Sequence, residues 1–270
     1  MPDFPISLTG GMVLSDSVSA APAASASTHT KGTYSQLIAS TSADATGLYI
    51  GINNAAASGR SFLVDIAVGA AASEQIILAN LLIDQPLRFV HSLQLPCLIP
   101  AGSRLAARCQ CDTGSQQITM DGFLTAGGLW GESFGGPVVT LGANTATSKG
   151  TTVDAGASVS TYGAWTTLEA STAADIIAIN VRKGCNRNTA PIEANLYSNY
   201  LQIGVGAAAA EQVVARLPVA ATTSGYMGTG FEGWLPVNIP AGSRVAARFL
   251  ANTNDATDRI IDVQILGLTP

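Results

Sequence analysis

Apolar and polar residues alternate with a period of two along most of the chain. Clear examples are the segments 34–40 and 48–52 in the first half and 177–181 in the second. This alternation is typical of strands that bury one face. The alanine-rich windows after Val68 and Val205 begin with glycine and are too short for a stable helix. We therefore predict an all-β protein.

Two phrases occur twice. Segment 95–108 reads LPCLIPAGSRLAAR and segment 235–248 reads LPVNIPAGSRVAAR, 140 residues later; segment 68–77 reads VGAAASEQII and segment 205–214 reads VGAAAAEQVV. Proline presets φ for a turn and the glycine after it accepts positive φ, so Pro-Ala-Gly predicts a strand–turn–strand unit. The separation grows from 125 at the double glycines 10–11 and 135–136, through 128 between Tyr34 and Tyr162, to 140.

The repeated phrases predict an internal duplication. Because each half offers several short strands with Gly, Ser and Asn between them, we expect two tandem antiparallel β-sandwich domains of jelly-roll-like topology. The boundaries that we predict are an N-terminal arm at 1–9, domain one at 10–128, a linker at 129–136 and domain two at 137–270. Residues 18–33 could be a loop or a long edge strand.

Composition narrows the possible partners. Hydrophobic residues make up 47% of the 270 residues, charged residues only 11%, and the net charge is −5. No cluster of Lys and Arg is present, so nucleic acid is not an expected partner. No apolar run approaches the roughly 20 residues of a membrane span, and the first residues lack the pattern of a signal peptide. We expect folding in a cytoplasm and no membrane partner.

No candidate catalytic or metal site withstands inspection of its context. Segment 131–135 (GESFG) matches the nucleophile-elbow pattern, but both histidines precede Ser133 and no α/β pattern surrounds it. The Asp- and Asn-rich segment 252–258 lacks the glycine and terminal glutamate of a calcium loop, and a solvated turn is favoured. The cysteines lack ligand-like partners, which favours buried free thiols. We predict no enzymatic activity, no metal and no cofactor.

Four arginines recur at matching positions after the turns: Arg104, Arg108, Arg244 and Arg248. One interpretation is an edge-strand charge that opposes aggregation and pairs with glutamate. The other is an ion pair to a neighbouring subunit. Glu74 and Glu211 also recur, and we expect their carboxylates to cap loop amides rather than bind a ligand.

Aromatic residues supply the remaining candidates. Trp130 and Phe134 lie in the linker, where we expect them to form a partner interface. Trp165, Trp234 and Tyr226 could form a platform on which a sugar stacks, although buried or interface anchors are the commoner role of such residues.

At the phrases VGAAA-x-EQ and IPAGSR-x-AAR the chain resembles structural proteins of tailed bacteriophages, including accessory head and tail proteins. The resemblance implies a non-enzymatic virion component. From it we expect a capsid-associated decoration or cement protein, homo-oligomeric, bound to the major capsid protein or other virion proteins and located in the virion. The alternative is a receptor- or carbohydrate-binding module of a tail fibre or spike, with a surface glycan as partner.

Overall fold

Antiparallel strands form the regular structure of the described part of the chain. The computed structural model describes residues 12–54, 60–85, 90–126, 137–185, 197–221, 227–229, 233–254 and 259–270. Within these ranges there is no helix, and hence none long and apolar enough to cross a membrane. The predicted all-β class is confirmed. The predicted arm at 1–9 and the linker at 129–136 lie outside the described residues.

The first half forms a two-sheet sandwich. Its strands are β1 (Met12–Ala20), β2 (Ser35–Ile38), β3 (Ala45–Asn54), β4 (Arg60–Val68), β5 (Gln75–Gln85), β6 (Val90–Ile99), β7 (Leu105–Cys111) and β8 (Ile118–Ala126). Sheet 1 has the order β1-β8-β3-β6 and sheet 2 has the order β2-β7-β4-β5. Leu48 and Ile50 of sheet 1 and Val64 of sheet 2 lie in one buried apolar core, while Tyr49 points outward, as the period of two requires.

The second half forms another such sandwich. Its strands are β9 (Val138–Leu141), β10 (Ala143–Asn144), β11 (Lys149–Asp154), β12 (Thr166–Glu169), β13 (Ile176–Cys185), β14 (Tyr197–Val205), β15 (Gln212–Ala221), β16 (Met227–Thr229), β17 (Leu235–Ile239), β18 (Val245–Leu250) and β19 (Ile260–Leu268). Sheet 3 has the order β10-β11-β19-β13-β17, with β9 also on β19, and sheet 4 has the order β12-β18-β14-β15-β16. Ile179, Leu201 and Phe249 lie in its core.

The strand orders of the two halves correspond. Sheet 4 repeats sheet 2 with β12, β18, β14 and β15 in the places of β2, β7, β4 and β5, and sheet 3 places β19, β13 and β17 like β8, β3 and β6 of sheet 1. An internal duplication predicts this correspondence; common ancestry of the halves itself stays a prediction.

The pairing registers correct two of the sequence matches. Ser35 pairs with Ala107 and Thr166 pairs with Ala247, so Tyr34 corresponds to Trp165 and not to Tyr162. Matching by residue type aligns segment 48–52 with 177–181. Leu48 pairs with Leu95 and Ile179 pairs with Leu235, so Leu48 corresponds to Ile179 and not to Ile177. Both errors came from matching residue type. An aromatic ring or an apolar side chain recurs every few residues in such strands, whereas the hydrogen-bond register is unique.

The segment 18–33 resolves into both of its alternatives. β1 continues to Ala20, and irregular chain follows, held by a bridge between Ala23 and Gln117. The Asp- and Asn-rich segment 252–258 is only partly described, because residues 255–258 lie outside the described ranges.

The two halves pack against each other. The outer face of sheet 3 lies on β5, the free edge of sheet 2, and reaches β4. The Gln264 side chain accepts a hydrogen bond from the Leu82 amide at 2.8 Å and donates one to the Asn80 carbonyl at 2.5 Å. These bonds satisfy edge groups of β5 that would otherwise be open to pairing with another chain.

Candidate functional site

The Pro-Ala-Gly turn is bound to a second loop in each half. Thr41 Oγ1 donates to the Pro100 carbonyl at 2.7 Å, and Asp44 Oδ1 accepts from the Ala101 amide at 2.7 Å. In the second half Thr172 and Asp175 make the same two bonds to the turn at 240–244. The sequence carries a signal for this contact that residue-by-residue reading missed, because 40–44 reads STSAD and 171–175 reads STAAD.

A third loop completes the arrangement. The Gly69 amide donates to the Arg104 carbonyl at 3.0 Å, and the Gly206 amide donates to the Arg244 carbonyl at 3.1 Å. We name the set 40–44, 69–74 and 100–104 loop cluster 1, and the set 171–175, 206–211 and 240–244 loop cluster 2. Each is a hydrogen-bonded group of loops at one end of its sandwich.

Two of the predicted arginines form ion pairs with glutamates of the same chain inside these clusters. Arg104 Nη1 lies 2.9 Å from Glu74 Oε1, and Arg244 Nη1 lies 2.5 Å from Glu211 Oε1. Both carboxylates are almost fully buried although the loops around them are exposed. The geometry therefore supports pairing with glutamate, the first of the two interpretations.

The glutamates also cap loop amides, as expected. Hydrogen bonds from its own amide, from Arg104 and from the Ala72 amide lower the pKa of the Glu74 carboxyl, and burial opposes them. Burial acts to raise the pKa of Glu211, but hydrogen bonds from Arg244 and from the Glu211 and Ala209 amides outweigh it and lower that pKa. The carboxylates are thus held ionised against the loop backbone.

The alanine stretches of both clusters are exposed and conformationally constrained. Ala72 has φ of 66° and Ala209 has φ of 64°, in the left-handed region that a residue with a Cβ rarely adopts. Such a residue costs about 1–2 kcal/mol, and the ion pair beneath each loop helps to hold it. Just beyond the loops, Ile76 and Val213 are each 46% exposed. Each cluster thus presents small, rigid, uncharged surface.

A shallow apolar cleft adjoins loop cluster 1. Its lining includes Ile76, Cys97, Leu98, Pro137 and Val138, and Leu98 is 64% exposed. Burial raises the pKa of the Cys97 thiol to about 12, so this cysteine is an inert apolar group there.

Two further cysteines, Cys109 and Cys111, are free thiols. Cys109 and Cys111 are buried, and burial raises both of their pKa values to about 12. Among the described residues no group of His, Cys, Asp and Glu is arranged to hold a metal ion.

Arg108 and Arg248 lie on inner strands, which corrects the expectation that they lie on edges. β7 lies between β2 and β4, and β18 lies between β12 and β14. Arg108 Nε donates to Asp65 Oδ2 at 2.9 Å, and its guanidinium lies 4.6 Å from the centre of the Tyr34 ring. A strand in the middle of a sheet has no free edge to protect, so these charges serve contacts across the sheet.

Asp65 is the centre of a network that the sequence did not reveal. This buried carboxylate also accepts hydrogen bonds from Lys31 Nζ at 2.7 Å and from the Asn80 amide at 2.8 Å. Burial lowers the pKa of Lys31, and the Asp65 charge offsets part of that effect. In the second half Gln202 takes the place of Asp65 and accepts from Arg248 Nε at 2.8 Å.

The structure does not bring the described residues of the predicted sugar platform, Trp165 and Trp234, together on one surface. The Arg248 guanidinium lies 4.4 Å from the Trp165 ring centre and 4.7 Å from that of Tyr162, and both rings are half-buried. Trp234 is only 8% exposed, and its Nε1 donates to the Gln94 carbonyl of the first half at 2.9 Å. Its ring is therefore an anchor between the halves with no free face for a sugar. Three candidates, Tyr226, Trp130 and Phe134, lie outside the described residues.

Comparison with known proteins gives no family. No protein-family model and no curated protein matches the chain. Among solved structures, a peptide-N(4)-(N-acetyl-β-D-glucosaminyl) asparagine amidase is similar at 10% identity and a TM-score of 0.42, covering 97% of this chain and 94% of that one.

Two further solved structures are similar to a lower degree. PNGase F from Flavobacterium meningosepticum matches at 9% identity and a TM-score of 0.40, over 96% of this chain and 92% of that one. The tandem CBM22-1-CBM22-2 domain of Paenibacillus barcinonensis Xyn10C matches at 12% identity and a TM-score of 0.23, over 97% and 94%. None of these similarities carries an argument about function.

Proposed function

We propose that the chain is a non-enzymatic structural protein of a bacteriophage virion. In this role it binds the head as a capsid-associated decoration or cement protein, with the major capsid protein or another virion protein as its partner. The supporting observation is the pair of matching loop clusters, each rigid, exposed and uncharged at its alanine loop. A loop that is already ordered loses little conformational entropy on binding.

Two matched clusters on one chain also suit a bridging role. Ala70–Ser73 and the four alanines 207–210 are exposed, and each stretch lies above a Glu–Arg pair. If both clusters engage neighbouring subunits, the second contact forms at high effective concentration and strengthens the whole attachment. Apolar contacts of small residues with little charge would make such binding insensitive to salt.

The test uses virus heads that lack the chain, from a phage that carries its gene, and measures co-sedimentation of the purified protein. Ala71→Asp combined with Ala208→Asp places charge on both loops at positions without positive φ, and we expect head binding to fall below detection. Ala157→Asp, at an exposed position outside both clusters, is the matched control and should bind normally. Normal binding by the double variant would rule out these clusters as the attachment site.

The predicted arm gives a second measurement. Deletion of residues 1–9 is expected to abolish attachment to the head, and full occupancy after the deletion would remove the arm from the proposal. Quantitative mass spectrometry of intact virions should also find the chain in a copy number near that of the major capsid protein.

A carbohydrate-binding tail-fibre or spike role is the second candidate. The observation that favours it is the half-exposed pair of rings at Tyr162 and Trp165, ordered by the Arg248 guanidinium. Aromatic rings with one accessible face are what sugar stacking requires. Glycan-array binding that is lost on Trp165→Ala and retained in Trp234→Phe would favour this role over the first.

A further inference from the structure

Among the described residues, the main contact between the two sandwiches is that of sheet 3 with sheet 2, and Trp234 adds a hydrogen bond to Gln94 of β6. Sheet 3 of the second half covers β5 and part of β4 in sheet 2 of the first half. The opposite faces, the outer side of sheet 1 and the outer side of sheet 4, carry exposed aromatic residues in the described structure, with Tyr49 and Tyr200 each 37% exposed. In the described part of the chain nothing covers these two outer faces, and they differ from each other.

The outer face of sheet 1 is equivalent to the outer face of sheet 3, which packs against sheet 2. The pair Tyr49–Phe123 of sheet 1 is equivalent to the pair Asn180–Leu266 of sheet 3. The pair Gly51–Asp121 of sheet 1 is equivalent to the pair Arg182–Gln264 of sheet 3. Asp121 therefore occupies the position of Gln264, the residue whose side chain is hydrogen-bonded to β5. The Tyr49 and Phe123 rings of this face stack on each other with their centres 4.9 Å apart.

The open face of sheet 4 corresponds in the same way to the covered face of sheet 2. Leu63 pairs with Leu82 and Tyr200 pairs with Pro218. Leu63 is fully buried, whereas Tyr200 is 37% exposed. Because the two positions are equivalent in the pairing ladders, the difference comes from the second half, which covers sheet 2 and leaves sheet 4 open.

The groups that would meet are complementary in charge. The Asn80 carbonyl accepts a hydrogen bond from the Gln264 side-chain amide. Along β5, Asn80 lies between Leu78 and Leu81, which both pair with residues of β4. Arg216 lies between the corresponding pairs of Ala215 and Leu217. Pro218 has no amide hydrogen to donate where Leu82 donates one, and a carboxylate at position 121 needs donors that the Arg216 guanidinium supplies.

We propose that the outer face of sheet 1 of one copy docks onto the outer face of sheet 4 of the next copy. Because β16 pairs with β15, this contact differs at that edge from the contact of sheet 3 with the free edge strand β5. Asp121 of one copy pairs with Arg216 of the other, and the Tyr49–Phe123 stack lies against Tyr200, whose ring already carries the Arg216 guanidinium at 4.4 Å. The two faces differ, so the contact is head-to-tail and produces a ring or a filament. This proposal does not depend on attachment to a virus head.

The test measures the self-association of the full chain by analytical ultracentrifugation over a concentration series. We expect the wild-type chain to associate, and we expect Asp121→Arg and Arg216→Asp each to weaken association at least about tenfold through like-charge contact. The chain that carries both reversals should regain most of the association, because the pair is then restored with opposite sign. Thermal melting of each variant checks that the fold is retained.

Ala101→Arg, in loop cluster 1 and away from both faces, is the control for added charge and should associate like the wild type. A wild-type chain that stays monomeric at every concentration would overturn the proposal. So would a doubly reversed chain that associates no better than either single variant. Head binding by a chain that does not self-associate would leave the proposed virion role standing and remove only this contact.

Discussion

The indole Nε1 of Trp234 donates a hydrogen bond to the main-chain carbonyl of Gln94, 2.9 Å away in the other half of the molecule. The ring lies in the apolar core cluster of the first half, together with Leu266 and Leu268 of sheet 3. A residue of the second half thus completes the core of the first. This contact makes the two sandwiches energetically dependent on each other.

Replacement of Trp234 should separate the two contributions of this ring. Trp234→Phe loses the hydrogen bond and leaves the Gln94 carbonyl unsatisfied, which should lower the free energy of unfolding by about 1–2 kcal/mol. Trp234→Ala also opens a cavity between the halves and should cost about 3–5 kcal/mol. Urea unfolding measures both values. Equal losses in the two variants would mean that ring packing contributes little.

Asp262 makes stability depend on pH in a direction opposite to that of most carboxylates. Burial raises its pKa from 3.8 to about 6, while the Thr152 hydroxyl and the Lys149 charge offset part of the increase. Between these pH values the folded chain keeps a proton that the unfolded chain has lost. The contribution of this group is therefore full below about pH 4 and is lost as the pH rises to about 6.

Asp262→Asn should remove this dependence. We expect the free energy of unfolding of the wild type to fall by roughly 3 kcal/mol from this group between about pH 4 and pH 7, and that component to be absent in the variant. Urea titrations at a series of pH values measure the difference. A parallel pH profile in the two proteins would show that Asp262 is ionised throughout.

The glutamates of the loop clusters should act in the usual direction. Because the folded-state pKa values of Glu74 and Glu211 are lowered, their contribution is present above about pH 4.5 and is lost as the pH falls through the folded-state values. Glu74→Gln combined with Glu211→Gln should give a chain that is less stable at neutral pH and less sensitive to acid. The urea midpoint measured from pH 6 downward checks both effects, and an unchanged acid profile would contradict the assignment.

The left-handed alanines predict stabilising substitutions. Ala72→Gly and Ala209→Gly relieve the positive-φ strain of about 1–2 kcal/mol, while glycine costs about 0.5–1 kcal/mol in the unfolded chain. Each should therefore raise the free energy of unfolding by up to about 1 kcal/mol. Ala71→Gly and Ala208→Gly, at neighbouring positions without positive φ, are the matched controls and should destabilise. Thermal melting ranks the four variants, and the reverse order would contradict the strain.

The buried Asp65 network predicts unequal roles for two matching arginines. Arg108→Ala removes one of two cations from a buried carboxylate, whereas Arg248→Ala removes a partner from the uncharged Gln202. The first should cost more stability, because an incompletely compensated buried charge is expensive. The comparison is made by urea unfolding of the two variants, and an equal cost would mean that Lys31 alone compensates Asp65.

The sequence by itself determined the all-β class and the strands in which the alternation is clear. The period of two placed Leu48, Ile50 and Val64 in a core, because a strand sends successive side chains to opposite faces. The repeated phrases located the Pro-Ala-Gly turns and the Glu and Arg residues that occupy matching places in both halves. These features depend on spacing along the chain, which the sequence records directly.

Tertiary structure decided which faces are covered and which partners meet. Leu63 and Tyr200 occupy equivalent places in the pairing ladders of their sheets, and the packing of sheet 3 buries Leu63 while Tyr200 stays 37% exposed. The same holds for Trp234, for the Asp65 network and for the correspondence of Tyr34 with Trp165. Each depends on hydrogen-bond registers and contacts between residues far apart in the chain, which local alternation does not specify.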